Sequence, residues 1–95
     1  MVVIENGLLC TSKDHFIGDL VIDGDHIVAL TPPGEGRKAV PAGAEFSVVD
    51  ATGKYVVPGG IDPHTHFDLQ QSPKYRACDD FYSGGVAAAC GGTTM

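Results

Sequence analysis

Residues 54–69 read KYVVPGGIDPHTHFDL, and no other stretch limits the possible folds of this chain as strongly. An apolar run at 55–57 is broken by Pro58, Gly59 and Gly60, and a second short run leads into His64, Thr65 and His66. Continuous apolar runs of this kind suit strands that are covered on both faces. If the second run is a strand, alternate side chains share a face, so Asp62, His64 and His66 point one way and Ile61, Pro63 and Thr65 the other. The two imidazoles then stand about 6.6 Å apart at their bases. That is close enough for both rings to lean onto one divalent ion at about 2.0 to 2.1 Å. His64 and His66 are therefore the candidate metal ligands, and neither needs an unusual protonation state to serve.

Downstream, residues 68–79 are polar, contain Pro73 and carry Lys74 and Arg76, which reads as a loop. Lys74 and Arg76 are expected to face solvent. Asp79 and Asp80 then precede an Ala-rich segment, placing acidic groups at the positive end of a helix dipole. A helix is predicted over residues 80–89, ended by Gly91 at the C′ position. Gly84 and Gly85 weaken that helix by about 1 kcal/mol each relative to Ala, which points to close packing on a strand. Cys90 is expected to be a small buried helix residue. With Thr93, Thr94 and Met95 as the entry to another strand, residues 58–95 read as one β-α-β start.

The first 57 residues read as a β-rich unit of short strands. Glu5, Asn6 and Gly7 carry a turn signal between two apolar runs, suggesting an opening hairpin. A second hairpin is predicted around Asp23, Gly24 and Asp25. Residues 31–43 hold Pro32, Pro33, Gly34, Gly36, Pro41 and Gly43, a composition suited to a solvated loop and not to a regular ladder. Further strands are expected at 46–49 and 55–57, with a turn between them. His15 and His26 have no second ligand-type residue at useful spacing and are set aside.

Composition excludes several functions. Twelve acidic against six basic residues leave a formal charge of −6, with no basic run to follow a phosphate backbone, so nucleic acid is not an expected partner. No apolar run reaches the roughly 18 residues that a membrane span requires, and the N-terminus lacks a positively charged leader. Cys10, Cys78 and Cys90 show no C-x-x-C spacing and suit a reducing, cytoplasmic setting. A closed (β/α)8 barrel takes about 250 residues. Ninety-five residues cannot contain one, and the chain is expected to be the front piece of a longer protein.

Two segments in order, VVPGGIDPHTHFDL and DDFYSGGVAAACGGTTM, resemble the start of the catalytic barrel in cyclic amidohydrolases of the dihydropyrimidinase and D-hydantoinase family. The resemblance implies an α/β protein in which a small β-rich, sandwich-like segment (1–57) precedes the incomplete start (58–95) of a TIM-like (β/α)8 barrel. It implies that His64 and His66 hold the more buried of two zinc ions per subunit, with the remaining ligands on later strands. Asp62 would orient a ring by hydrogen bonding and not bind metal itself. The implied activity is zinc-dependent hydrolysis of a cyclic amide substrate to an N-carbamoyl amino acid, as in pyrimidine degradation, by a cytoplasmic homotetramer. The 95 residues alone would be inactive. Other readings are an allantoinase or dihydroorotase, a non-catalytic dihydropyrimidinase-related scaffold protein, and a free-standing β-rich module with an accidental His pair.

Overall fold

The computed structural model describes residues 1–95, and the chain divides into two compact units, Met1–Pro58 and Gly59–Met95. The first unit is built on β1 (Val2–Cys10), which is rich in β-branched and aliphatic side chains and lies at the centre of a five-stranded mixed sheet. On one side β1 pairs antiparallel with β2 (His15–Asp23), which pairs antiparallel with β3 (His26–Thr31). On its other side β1 pairs in parallel first with β4 (Ser47–Asp50) and then with β5 (Tyr55–Val56). The predicted second hairpin is present, since Asp23 and His26 face each other across a two-residue turn. The predicted strands at 46–49 and 55–57 are also present, shifted or shortened at their ends.

The β-rich unit expected at the start of the chain is present as a single five-stranded sheet. One expectation for this unit is corrected. The opening hairpin is absent, because Asn6 and Gly7 do not turn the chain. Instead, Glu5 and Asn6 together oppose Asp19 between the pairs Ile4↔Leu20 and Gly7↔Gly18, forming a β-bulge within one nine-residue strand. Asn6 takes a left-handed φ of 59°, a conformation that Asn tolerates better than most residues. Its signal in the sequence is real, but the chain uses it to bulge and not to reverse.

Asp19 fixes the bulge. Its side chain is fully buried; Oδ1 accepts the Asn6 N–H at 2.9 Å and Oδ2 accepts the Gly36 N–H at 2.9 Å. Burial alone raises the Asp19 carboxyl, but hydrogen bonds from the amides of Asn6 and Gly36, with those of Gly34 and Glu35, outweigh it and hold its pKa below the usual carboxylate value. Residues 31–43 are thus less free than their composition suggests. They include a short 3-10 turn, Gly36–Ala39, anchored by this bond and by Arg37, whose Nη2 donates to Glu5 Oε2 at 2.9 Å. Gly36 is required at that spot, because a Cβ there would overlap Val3 Cγ1 and Asp19 Cβ. The apolar core around Asp19 is small and consists of Val3, Leu9, Leu20, Val21 and Ala51.

The second unit has one helix, α1 (Phe81–Cys90), and a two-stranded hairpin, β6 (Gln70–Ser72) with β7 (Tyr75–Arg76). Residues 68–79 are therefore an ordered hairpin where a plain loop was expected. Asp80 caps α1: its carboxylate accepts the Ser83 N–H at 2.7 Å, and Ser83 Oγ accepts the Asp80 N–H at 3.0 Å, a reciprocal capping box. At the other end Gly91 keeps right-handed helical angles, and Gly92, with φ 83°, makes the left-handed turn assigned to Gly91 from sequence. Beyond it, Thr93 forms a parallel bridge with Gly60, Gly60 N–H donates to Gly92 O at 2.7 Å and Asp62 N–H donates to Met95 O at 2.7 Å. Around α1 the expected flanking strands are thus reduced to one isolated parallel bridge. No helix is long and apolar enough to cross a membrane.

Candidate metal centre

The predicted strand over residues 61–66 does not form. After Gly60 the backbone leaves ladder geometry, and the alternation argument fails with it: Asp62, Thr65 and Phe67 line one hollow of about 610 Å³, whereas strict alternation would separate Thr65 from Asp62. The physical reason is Pro63, which has no N–H to give a ladder and holds its φ near −65°, together with a local bond that competes with strand pairing. Asp62 Oδ1 accepts the His64 N–H at 3.1 Å, closing an Asx turn around Pro63.

That turn nevertheless brings the two predicted ligands together. The Nε2 atoms of His64 and His66 lie 2.9 Å apart, and the ring centroids are 4.9 Å apart at an interplanar angle of 63°. An ion bound by both nitrogens at about 2.0 to 2.1 Å would see them at about 90°. Opening the pair to about 3.3 Å, a shift of a few tenths of an ångström, gives the tetrahedral angle at that bond length. Without a cation, one nitrogen must donate and the other accept, because two facing lone pairs repel. The donor set suits zinc. It is also incomplete, since no third His, Cys, Asp or Glu joins the pair in a group able to hold a metal.

Asp62 is at the predicted place but in a different role. Its carboxylate engages the backbone of His64 and not an imidazole ring. A D-P-H sequence is a recognisable Asx-turn signal, which the strand reading overrode.

Three further contacts hold the segment. Phe67, next to His66, places its ring over Gly84 of α1, where a Cβ would overlap ring atoms Cδ1, Cε1 and Cγ, and it meets Phe81 edge-on at 6.3 Å. The predicted close packing at Gly84 is therefore against an aromatic ring and not a strand, while Gly85 has open space beside it. Asp68, with a left-handed φ of 55°, donates its N–H to Asp79 O at 2.7 Å and accepts from Arg76 Nε at 2.7 Å. Lys74 and Arg76 are both exposed, as expected, with Arg76 held by that ion pair. Cys90, expected to be buried, is exposed, as is Cys78. The reason is that α1 buries only Gly84, leaving Phe81 and Tyr82 open as well.

Residues 47–91 match the Amidohydrolase family. The chain is 47% identical over 92 residues to a D-hydantoinase of Geobacillus stearothermophilus, which covers 97% of this chain and 18% of that protein. It is 39% identical over 94 residues to a dihydropyrimidinase of Arabidopsis thaliana, covering 99% of this chain and 16% of that protein. The solved D-hydantoinase (dihydropyrimidinase) from Thermus sp. superposes with a TM-score of 0.82 at 36% identity, over 99% of this chain and 19% of that one. The chain thus spans about a fifth of the length of the relatives it matches. Over the residues it has, in sequence and in fold, the chain belongs to the D-hydantoinase and dihydropyrimidinase group of the amidohydrolase family.

Proposed function

We propose that the protein carrying this chain is a zinc-dependent cyclic amidohydrolase that opens dihydropyrimidines or 5-substituted hydantoins to N-carbamoyl amino acids. The observation that supports it most directly is the 2.9 Å approach of His64 Nε2 to His66 Nε2, two imidazole nitrogens close enough to share one ion. The names of the relatives supply the reaction class, since they are D-hydantoinases and a dihydropyrimidinase. The remaining ligands, and the start of a (β/α)8 barrel that Gly60, α1 and Thr93 would form, belong to the same proposal, as do two ions per subunit and a tetrameric cytoplasmic enzyme.

The chemistry that such ions supply when bound is polarisation of a carbonyl oxygen and acidification of water. The residues of this chain do the holding. His64 and His66 present their Nε2 lone pairs, the Asx turn at Asp62 fixes the backbone between them, and Phe67 seated on Gly84 anchors the chain immediately after His66. The β6–β7 hairpin follows, pinned by Asp68 and Arg76, and loops so placed select substrates.

The test is to load the protein carrying this chain with zinc and measure kcat/KM for dihydrouracil, dihydrothymine, a 5-substituted hydantoin, allantoin and dihydroorotate. Turnover of the first three above the last two supports the proposal. Absence of ring opening with every ring, in a folded zinc-loaded protein, would favour the scaffold reading.

A further inference from the structure

The carboxylate of Asp62 is spent on the peptide backbone. It accepts the N–H of His64 at 3.1 Å across Pro63, and the Asp62 N–H is itself bonded to Met95 O at 2.7 Å. Asp62 is thus fixed on one side by the parallel pairing around Gly60 and Thr93, and on the other it fixes the amide of the first histidine. Proline removes one torsion between the two points. With its amide bonded, the Pro63–His64 peptide plane is held, which narrows the directions from which the His64 ring can approach that of His66.

We propose that Asp62 is a positioning residue that sets the His64–His66 approach through the His64 amide, acting neither as a metal ligand nor as a partner of an imidazole. The inference rests on the metal-site reading above. It predicts that an acceptor oxygen at this position is sufficient and that negative charge is not required. An Asn side chain keeps an acceptor oxygen at the same reach and can close the same turn. A group that oriented a ring nitrogen or bound the ion through its charge would not be replaced by a neutral amide.

The experiment is zinc affinity, measured by competition with a chromophoric chelator, on the wild-type protein carrying this chain and its Asp62→Asn, Asp62→Ala and His64→Ala variants. Hydrogen exchange of the His64 amide is followed in parallel. Asp62→Ala should bind zinc about tenfold or more weakly, within the range seen when a group supporting a ligand is removed, and its His64 amide should exchange faster. Asp62→Asn should stay within about threefold of wild type, a gap too small for the loss of such a group, with the amide still protected. Equal weakening in Asn and Ala would overturn the proposal in favour of a charge acting on the ion or a ring, and wild-type affinity in Ala would overturn it outright. If Ala does not fold, an unprotected His64 amide in the wild type, or tenfold weaker zinc in Asn, contradicts it equally. Undiminished zinc binding in His64→Ala is a different failure, one of the metal-site reading itself.

Discussion

Oδ2 of Asp19 accepts the backbone N–H of Gly36 at 2.9 Å while Oδ1 accepts that of Asn6 at 2.9 Å, so one buried carboxylate ties the β1 bulge to the turn after β3. Replacing it with Ala would orphan two amides in a dry setting, at about 1 to 3 kcal/mol for each. Asp19→Asn is also destabilising, because its NH2 group would face one of two donors. The pKa of Asp19 is lowered in the fold, so its contribution is present above the usual carboxylate value of 3.8 and is lost as pH falls through the lower, folded value. Urea denaturation from pH 7 down to acid should show wild-type stability declining through this window, and the Asp19→Asn protein should show a shallower decline.

Gly84 and Gly85 are adjacent in α1 and should respond oppositely to alanine. Gly84→Ala drives a methyl group into the Phe67 ring, and the repacking is expected to destabilise by about 1 to 3 kcal/mol. It should also weaken zinc binding, because Phe67 follows His66 directly. Gly85→Ala meets open space and should be neutral or stabilising by up to about 1 kcal/mol. Thermal unfolding together with a zinc titration on both variants checks the pair.

The contrast between these glycines marks how far the sequence could be read. Two small residues in a helix signal close packing, but only the path of Phe67 decides which of them is covered. Likewise, the Asp-Gly hairpin after β2, the Ala-rich helix behind Asp79 and Asp80 and the His pair were legible, because each rests on chemistry within a few residues. The bulge at Asn6 was not, since it depends on Asp19, thirteen positions away. The histidines converge for a reason other than the predicted one. Strand alternation would have put them on one face, whereas an Asx turn around Pro63 does so in its absence.

The ion pair between Arg76 and Asp68 bears on substrate preference. Arg76 is 61% exposed and bonded to Asp68, so a substrate carboxylate would have to displace that partner. An exposed pair contributes about 0 to 1 kcal/mol, so Arg76→Ala should barely change the unfolding midpoint. It should also leave the expected preference for hydantoins and dihydropyrimidines over dihydroorotate in place. A selective loss of dihydroorotate turnover in this variant, read from kcat/KM, would assign Arg76 to the substrate.

The central claim is that His64 and His66 jointly hold metal, and metal content tests it most directly. The protein carrying this chain is purified as wild type, His64→Ala and His66→Ala, and its bound zinc is measured by inductively coupled plasma mass spectrometry beside circular dichroism. Both rings are exposed and neither supports the fold, so the account predicts that each variant keeps the wild-type dichroism while losing zinc and ring-opening activity together. Wild-type zinc content in both folded variants would contradict it.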